Sequence, residues 1–87
     1  MKIVFHKQFE KQLKNLNKKQ KEVLKNRLLK FLEDPYDKQL NNHGLQGKYD
    51  NYRSINISGD LRAIFNLSED GLVATFVLMG KHSQLYK

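Results

Sequence analysis

The chain predicts an α+β domain in which a helical hairpin packs on one face of a small, mostly antiparallel sheet, in the order β-α-α-β-β-β. Three observations carry that class. Residues Lys7 to Glu33 have helical composition with one interruption, at Asn15-Leu16-Asn17. Two strand-like segments flank Ser58-Gly59, and the longest apolar run, Leu72 to Met79, follows them. Consecutive helices followed by consecutive strands segregate into layers rather than forming parallel β-α-β units.

Lys2 to Phe5 reads as a short first strand. Phe9, Leu13 and Leu16 then recur at helical spacing, as do Val23-Leu24, Leu28 and Phe31-Leu32. Asn17 is the expected N-cap of the second helix. Asp34-Pro35 ends that helix, because proline disfavours helical geometry in the residue before it. Residues 35–51 form a polar connection containing His43-Gly44-Leu45-Gln46-Gly47. Tyr52 to Ile57, the turn Ser58-Gly59 and Asp60 to Phe65 read as a β-hairpin. A second turn, Ser68-Glu69-Asp70-Gly71, leads into the apolar final strand, whose β-branched and aromatic residues suit a buried position. Gly80 is expected to break that strand, presenting Lys81, His82 and Tyr86 just past its end. Groups placed there are fixed by a rigid element yet open to a ligand.

Eighty-seven residues without a repeat or dividing linker are expected to make one domain, 1–87, with a modest core. No cysteine is present, so neither a disulfide nor a thiolate metal site supports it. The apolar start Met1 to Phe5 is too short for a signal peptide and no segment resembles a membrane span, so a cytoplasmic protein is expected. The formal charge is +7, and it is unevenly placed. Residues 1–32 carry ten basic and two acidic residues; residues 33–87 carry six and seven. For any single lysine a solvated helical face is the plainer reading. The surplus as a whole points to a polyanion, either nucleic acid or an acidic protein segment.

The hairpin register bears on the site. A two-residue turn at either Ser58-Gly59 or Gly59-Asp60 puts Arg53 and Arg62 on one face of the sheet, since cross-strand partners share a face. A three-residue loop would separate them. Two arginines on one face suit an anion; the alternative is that each pairs with a carboxylate such as Asp50 or Asp60.

The candidate polar set is His43, Arg53, Asp60, Arg62, Lys81, His82 and Tyr86. The chain has no GxGxxG, P-loop, G-x-S-x-G or HExxH pattern. Its three histidines lack the short helical spacing of a zinc site, and His6 is expected to cap or precede the first helix. No cofactor is implied. What remains suits phosphodiester chemistry without a metal, for example cleavage of RNA by attack of its own 2′-hydroxyl. Such a reaction needs a base for that hydroxyl, an acid for the departing 5′-oxygen and cations around the phosphorus. Histidine titrates near pH 6.5 and serves either proton role, typically for ~10²–10⁴ in rate. Arginine matches phosphate oxygens with a fork of donors. Asp60 would orient a histidine, or act as a base if burial raised its pKa. Tyr86 would stack on a base or donate to phosphate; otherwise it is a packed tail aromatic, as His82 alone would be an ordinary turn histidine.

The chain resembles the bacterial RelE/ParE toxin superfamily, and within it the YafQ-like branch. The resemblance rests on the helical hairpin, His43-x-Leu45-x-Gly47, Tyr52-Arg53, Asp60-Leu61, and the closing Gly80-x-His82-x-x-Leu85-Tyr86, which is the most specific element. It implies the toxin of a type II toxin–antitoxin pair. Such a toxin enters the ribosomal A site, cuts mRNA there without a metal, and is silenced by a cognate antitoxin. It further implies His43 and Asp60 as catalytic-site residues, His82 as a principal acid or base, and Tyr86 as an aromatic that holds the mRNA. The basic helical region would engage ribosomal RNA. Two departures stand out: Asn56 occupies a position where the branch often has histidine, and Leu61 one where it often has tryptophan. Arg62 is expected to supply phosphate charge in compensation. The other readings are a ParE-like gyrase poison, which needs neither His43 nor His82, and an inactive homologue that keeps only antitoxin binding.

Overall fold

The computed structural model describes residues 1–85, so the expectation for Tyr86 lies outside the described residues. The elements are β1 (Lys2–Phe5), α1 (Lys7–Lys14), α2 (Lys18–Glu33), β2 (His43–Gly44), β3 (Arg53–Ser58), β4 (Leu61–Leu67), β5 (Val73–Lys81) and α3 (His82–Leu85). The sheet order is β1-β5-β4-β3-β2. β1 runs parallel to β5 and every other pairing is antiparallel.

Both long helices begin as the sequence expects. His6 caps α1 by accepting from the Gln8 amide, and Asn17 caps α2 in a reciprocal capping box with Gln20. Asp34, ahead of Pro35, terminates α2 in extended geometry. The helices cover one face of the sheet. Phe9 from α1 and Phe31 from α2 meet Phe65 and Phe76, all four at 0% exposure. Phe76 is the hub: its ring lies 5.0 Å from Phe65, 5.5 Å from Phe31 and 5.7 Å from Phe9. Ile55, Ile57, Ala63, Ala74 and Met79 complete this helix-side core. Burying such rings supplies most of the driving force, with each aromatic pair adding ~0.5–1.5 kcal/mol beyond area.

Four details differ from the sequence expectation. The polar connection contains the two-residue edge strand β2 and two 3-10 turns, Lys38–Leu40 and Gly47–Tyr49. The hairpin turn is Gly59-Asp60, with Ser58 opposite Leu61, the second of the two turns considered. β3 then carries a bulge at Ile57, so that Asn56 faces Arg62 and Arg53 faces Phe65. One extra residue inverts every face beyond it. Arg53 and Arg62 therefore stand on opposite faces, not on one. The bulge carbonyl of Ile57 is held by Arg27 Nε of α2 at 3.0 Å, which ties the shifted register to the helical layer. Lastly, Gly80 does not break β5, which continues to Lys81. A Cβ at Gly80 would sit 3.2 Å from Leu85 Cδ2, so the glycine permits α3 to fold back closely on the strand.

Beyond Phe76, β5 outruns its parallel neighbour β1, leaving backbone groups without a strand partner. The Gln12 side chain of α1 fills that gap. Its carboxamide oxygen accepts from the Met79 amide at 2.8 Å and its nitrogen donates to the Met79 carbonyl. A single amide thus imitates a strand and anchors α1 to the end of β5 that leads into His82.

Candidate functional site

The face of the sheet away from α1 and α2 is organised in rows by strand pairing. One row is His43–Ser54–Ile64–Leu78, from β2 to β5. Two residues nearer the hairpin turn runs Asn56–Arg62–Gly80. Beyond it lie the Gly59-Asp60 turn and the start of α3. His82 donates its backbone N–H to the Asp60 carbonyl at 2.9 Å, which fixes these two residues side by side. Arg62 folds toward the same turn, its Nη1 donating to the carbonyls of Gly59 at 2.8 Å and Leu61 at 3.2 Å. The structure therefore gathers Asp60, Arg62 and His82 at one end of the sheet, each with at least part of its surface exposed.

His43 stands on the far edge of the same face. Its Nδ1 lies 2.8 Å from the Asn41 carbonyl. A carbonyl only accepts, so Nδ1 carries the proton and a neutral ring keeps its lone pair on Nε2. Asn41 is itself in left-handed geometry, φ 47°, and so turns its carbonyl back toward the ring two residues on. Three strand spacings of about 4.8 Å separate β2 from β5 at the backbone, roughly 14 Å in all. The two central strands carry Asn56 and Arg62 between them.

The remaining candidates are placed otherwise. Arg53 is on the helix-side face at the start of β3, where its Nε donates to Asn42 Oδ1 at 2.8 Å and its guanidinium lies 5.7 Å from the Tyr36 ring centroid. It does not join His43 and Arg62. Lys81 pairs with Leu61, whose side chain packs against the main core, so register assigns it to the helix-side face as well. Neither arginine takes a carboxylate partner: among the described residues the ion pair found is Lys30 with Asp37. Among the described residues no three His, Cys, Asp or Glu side chains come together as metal ligands would.

Asn56, where the resemblance expects histidine, is half-buried, and its Oδ1 is buried with no hydrogen-bond partner among the described residues. An orphaned acceptor of this kind costs about 1–3 kcal/mol, and it lies in the row of Arg62 on the candidate site's own face. A second feature was not foreseen in the sequence. Lys48, Tyr49 and Tyr52, from the connection before β3, line an open pocket of about 440 Å³ with His6, Val77 and Leu78. Alternation with Arg53, expected at the site from the sequence, put Tyr52 on the other face; the bulge in β3 reverses both.

Known folds match this architecture along nearly its whole length. YafQ from E. coli strain BL21(DE3) superimposes with a TM-score of 0.78 at 24% identity, covering 98% of this chain and 97% of that one. A YoeB/ParE toxin from Agrobacterium tumefaciens gives 0.77 at 16% identity, with coverage of 94% and 99%. The E. coli DinJ–YafQ toxin–antitoxin complex gives 0.70 at 24% identity, with coverage of 98% and 96%. At these identities the likeness establishes the fold, that of RelE-like toxins. No curated protein matches the sequence. The family model does: residues 1–87 match the bacterial toxin of type II toxin–antitoxin systems, YafQ, and the chain belongs to that family.

Proposed function

We propose that the chain is a single toxin domain, residues 1–87, that cuts mRNA in the ribosomal A site by attack of the RNA's own 2′-hydroxyl. The observation that carries this reading is the row Asn56–Arg62, flanked by His43 on one side and by His82 with Asp60 on the other. In-line displacement at phosphorus needs its base and its acid on opposite sides of the phosphate. A scissile phosphate over Arg62 would have an imidazole on each flank, each one or two strands away and two residues along, roughly 8–12 Å at the backbone. A side chain can cover that gap. Arg62 would neutralise the phosphate, and the Asn56 oxygen would accept from a ribose hydroxyl without being able to take its proton. Arg53 and Lys81, on the other face, would contact flanking RNA or ribosome rather than the reacting phosphate.

Two partners follow. The helical layer, with its excess of lysines, suits ribosomal RNA. A groove between α1 and α2, lined by Leu13, Leu28, Leu29 and Leu32 and rimmed by Lys14, Lys21 and Lys25, suits an acidic amphipathic segment of a cognate antitoxin. The DinJ–YafQ complex supports that expectation by family. Among the described residues no helix is long and apolar enough to cross a membrane, and the proposed site of action is the cytoplasm.

Primer extension on a defined mRNA, with and without programmed ribosomes, tests the proposal. Cuts are expected only with ribosomes, and His82→Ala is expected to lower them by ~10²-fold or more while remaining folded. Undiminished cutting by that variant would remove His82 from the mechanism. Asn56 favours one second reading, a homologue that binds antitoxin but does not cut. Harmless overexpression of folded protein without antitoxin would select it.

A further inference from the structure

We infer that the pocket of Lys48, Tyr49 and Tyr52 is a stacking subsite for a nucleobase of the single-stranded RNA that flanks the scissile phosphate. This inference rests on the nuclease reading above and adds a binding element to it. The pocket is built, not incidental. Gly47 adopts φ +68°, a left-handed turn that a side chain would strain, and so starts the 3-10 turn bearing Lys48 and Tyr49. The Tyr52 amide donates to the Tyr49 carbonyl at 3.0 Å and brings the two rings together. Their centroids are 6.4 Å apart at 83°, edge to face, rather than stacked on each other. That geometry leaves ring surface for a third planar group. Lys48 Nζ lies over one face of the Tyr49 ring, 5.3 Å from its centroid, and leaves the other face and the Tyr52 ring for a base.

The floor is apolar and belongs to the reacting face. It is made by Val77 and Leu78, where β5 bulges between the residues facing Ile64 and Phe65. Leu78 lies in the same cross-strand row as His43. His6, the cap of α1, also lines it. At about 440 Å³ the cavity falls within the roughly 300–1,000 Å³ of small-ligand sites. Aromatic faces, an apolar floor and an adjacent lysine in a protein of charge +7 match a base with its phosphate. Stacking of this kind is tolerant of base identity, so the subsite would hold the strand in place rather than choose the codon.

The test separates binding from cutting. A short fluorescein-labelled 2′-O-methyl RNA, which cannot be cut, is titrated with folded wild-type protein and variants by anisotropy. Tyr49→Ala is expected to weaken binding about 5- to 150-fold, the cost of losing one base–aromatic stack. Tyr49→Phe, which keeps the ring, is expected to bind as the wild type does. Lys48→Ala, at an exposed position, provides a variant without folding risk and is expected to reduce the salt slope by about one. Wild-type affinity in both Tyr49→Ala and Lys48→Ala, or no binding by folded wild type, overturns the subsite. Binding that depends on Tyr49 in a protein that cuts no mRNA on ribosomes keeps the subsite and discards the nuclease.

Discussion

At Asn56 the chain has an amide where a proton carrier would do more. Its Oδ1 is unpaired, yet Arg62 is its cross-strand neighbour, and His82 opens α3 just past the end of β5, the strand on the other side of Arg62. Asn56→His places a third titratable ring on the reacting face. It is expected to raise single-turnover cleavage on programmed ribosomes, up to the ~10²–10⁴ such a group is typically worth. No gain in rate would mean that His43 and His82 already supply both proton transfers. A different residue sets a local pH response. Asp70 accepts from Ser68 Oγ at 2.6 Å and from the Leu72 amide at 3.0 Å in the β4–β5 turn, and these hydrogen bonds, that of Ser68 foremost, hold its carboxyl below the ordinary 3.8. Because the folded state lowers this pKa, the associated stability is complete above the unfolded value and is lost as pH falls through the folded one. Carbon-detected NMR titration is expected to place Asp70 below 3.8, and Ser68→Ala to move it back up. An unmoved midpoint in Ser68→Ala would assign the shift to the Leu72 amide instead.

Among the elements, β5 depends on a side chain for its last stretch of pairing. Gln12→Ala removes both hydrogen bonds to Met79 and leaves two part-buried backbone groups short of partners. Urea unfolding is expected to show a loss of about 1–3 kcal/mol, the sum of two ordinary hydrogen bonds. Cleavage should fall as well, because the segment carrying His82 loses its anchor to α1; unchanged cleavage would mean that α3 packing on Gly80 suffices. This contact also shows where sequence reading stops. The helices were legible down to their caps, since Asn17, Gln20 and Pro35 act within a few residues of their own positions. The Gln12–Met79 contact joins positions far apart in sequence and has no local signature. The bulge at Ile57 likewise lacks a marker: no glycine or proline sits there, and its stabiliser, Arg27, comes from another layer. That one residue moved Arg53 out of the site. β2 is only two residues long, too short for any alternation to reveal. His43, Asp60 and His82 could be read as candidates from their chemistry, but their arrangement around Asn56 and Arg62 required the register.

For the molecule as a whole, charge and chemistry are segregated. The basic surplus lies in the first 32 residues, which contribute both long helices, whereas the candidate reacting groups lie on the opposite side of the sheet. Ribosome association, measured by sedimentation across a salt series, is therefore expected to weaken steeply as salt rises, with Lys18→Gln or Lys21→Gln each lowering the slope by up to about one. A flat salt response would remove the helical layer from ribosome binding. The sheet order has a different consequence, for synthesis. Lys2 pairs with Val73, and Phe76 joins both helices to β4, so the strand made last occupies an interior position. Such long-range closure is slow to form and impossible before its final member exists. A nascent chain that has not yet emitted β5 holds a first strand without a partner and an aromatic cluster without its hub. The fold is thus withheld from the ribosome that is making it until β5 has been made and released to pair with β1 and β4.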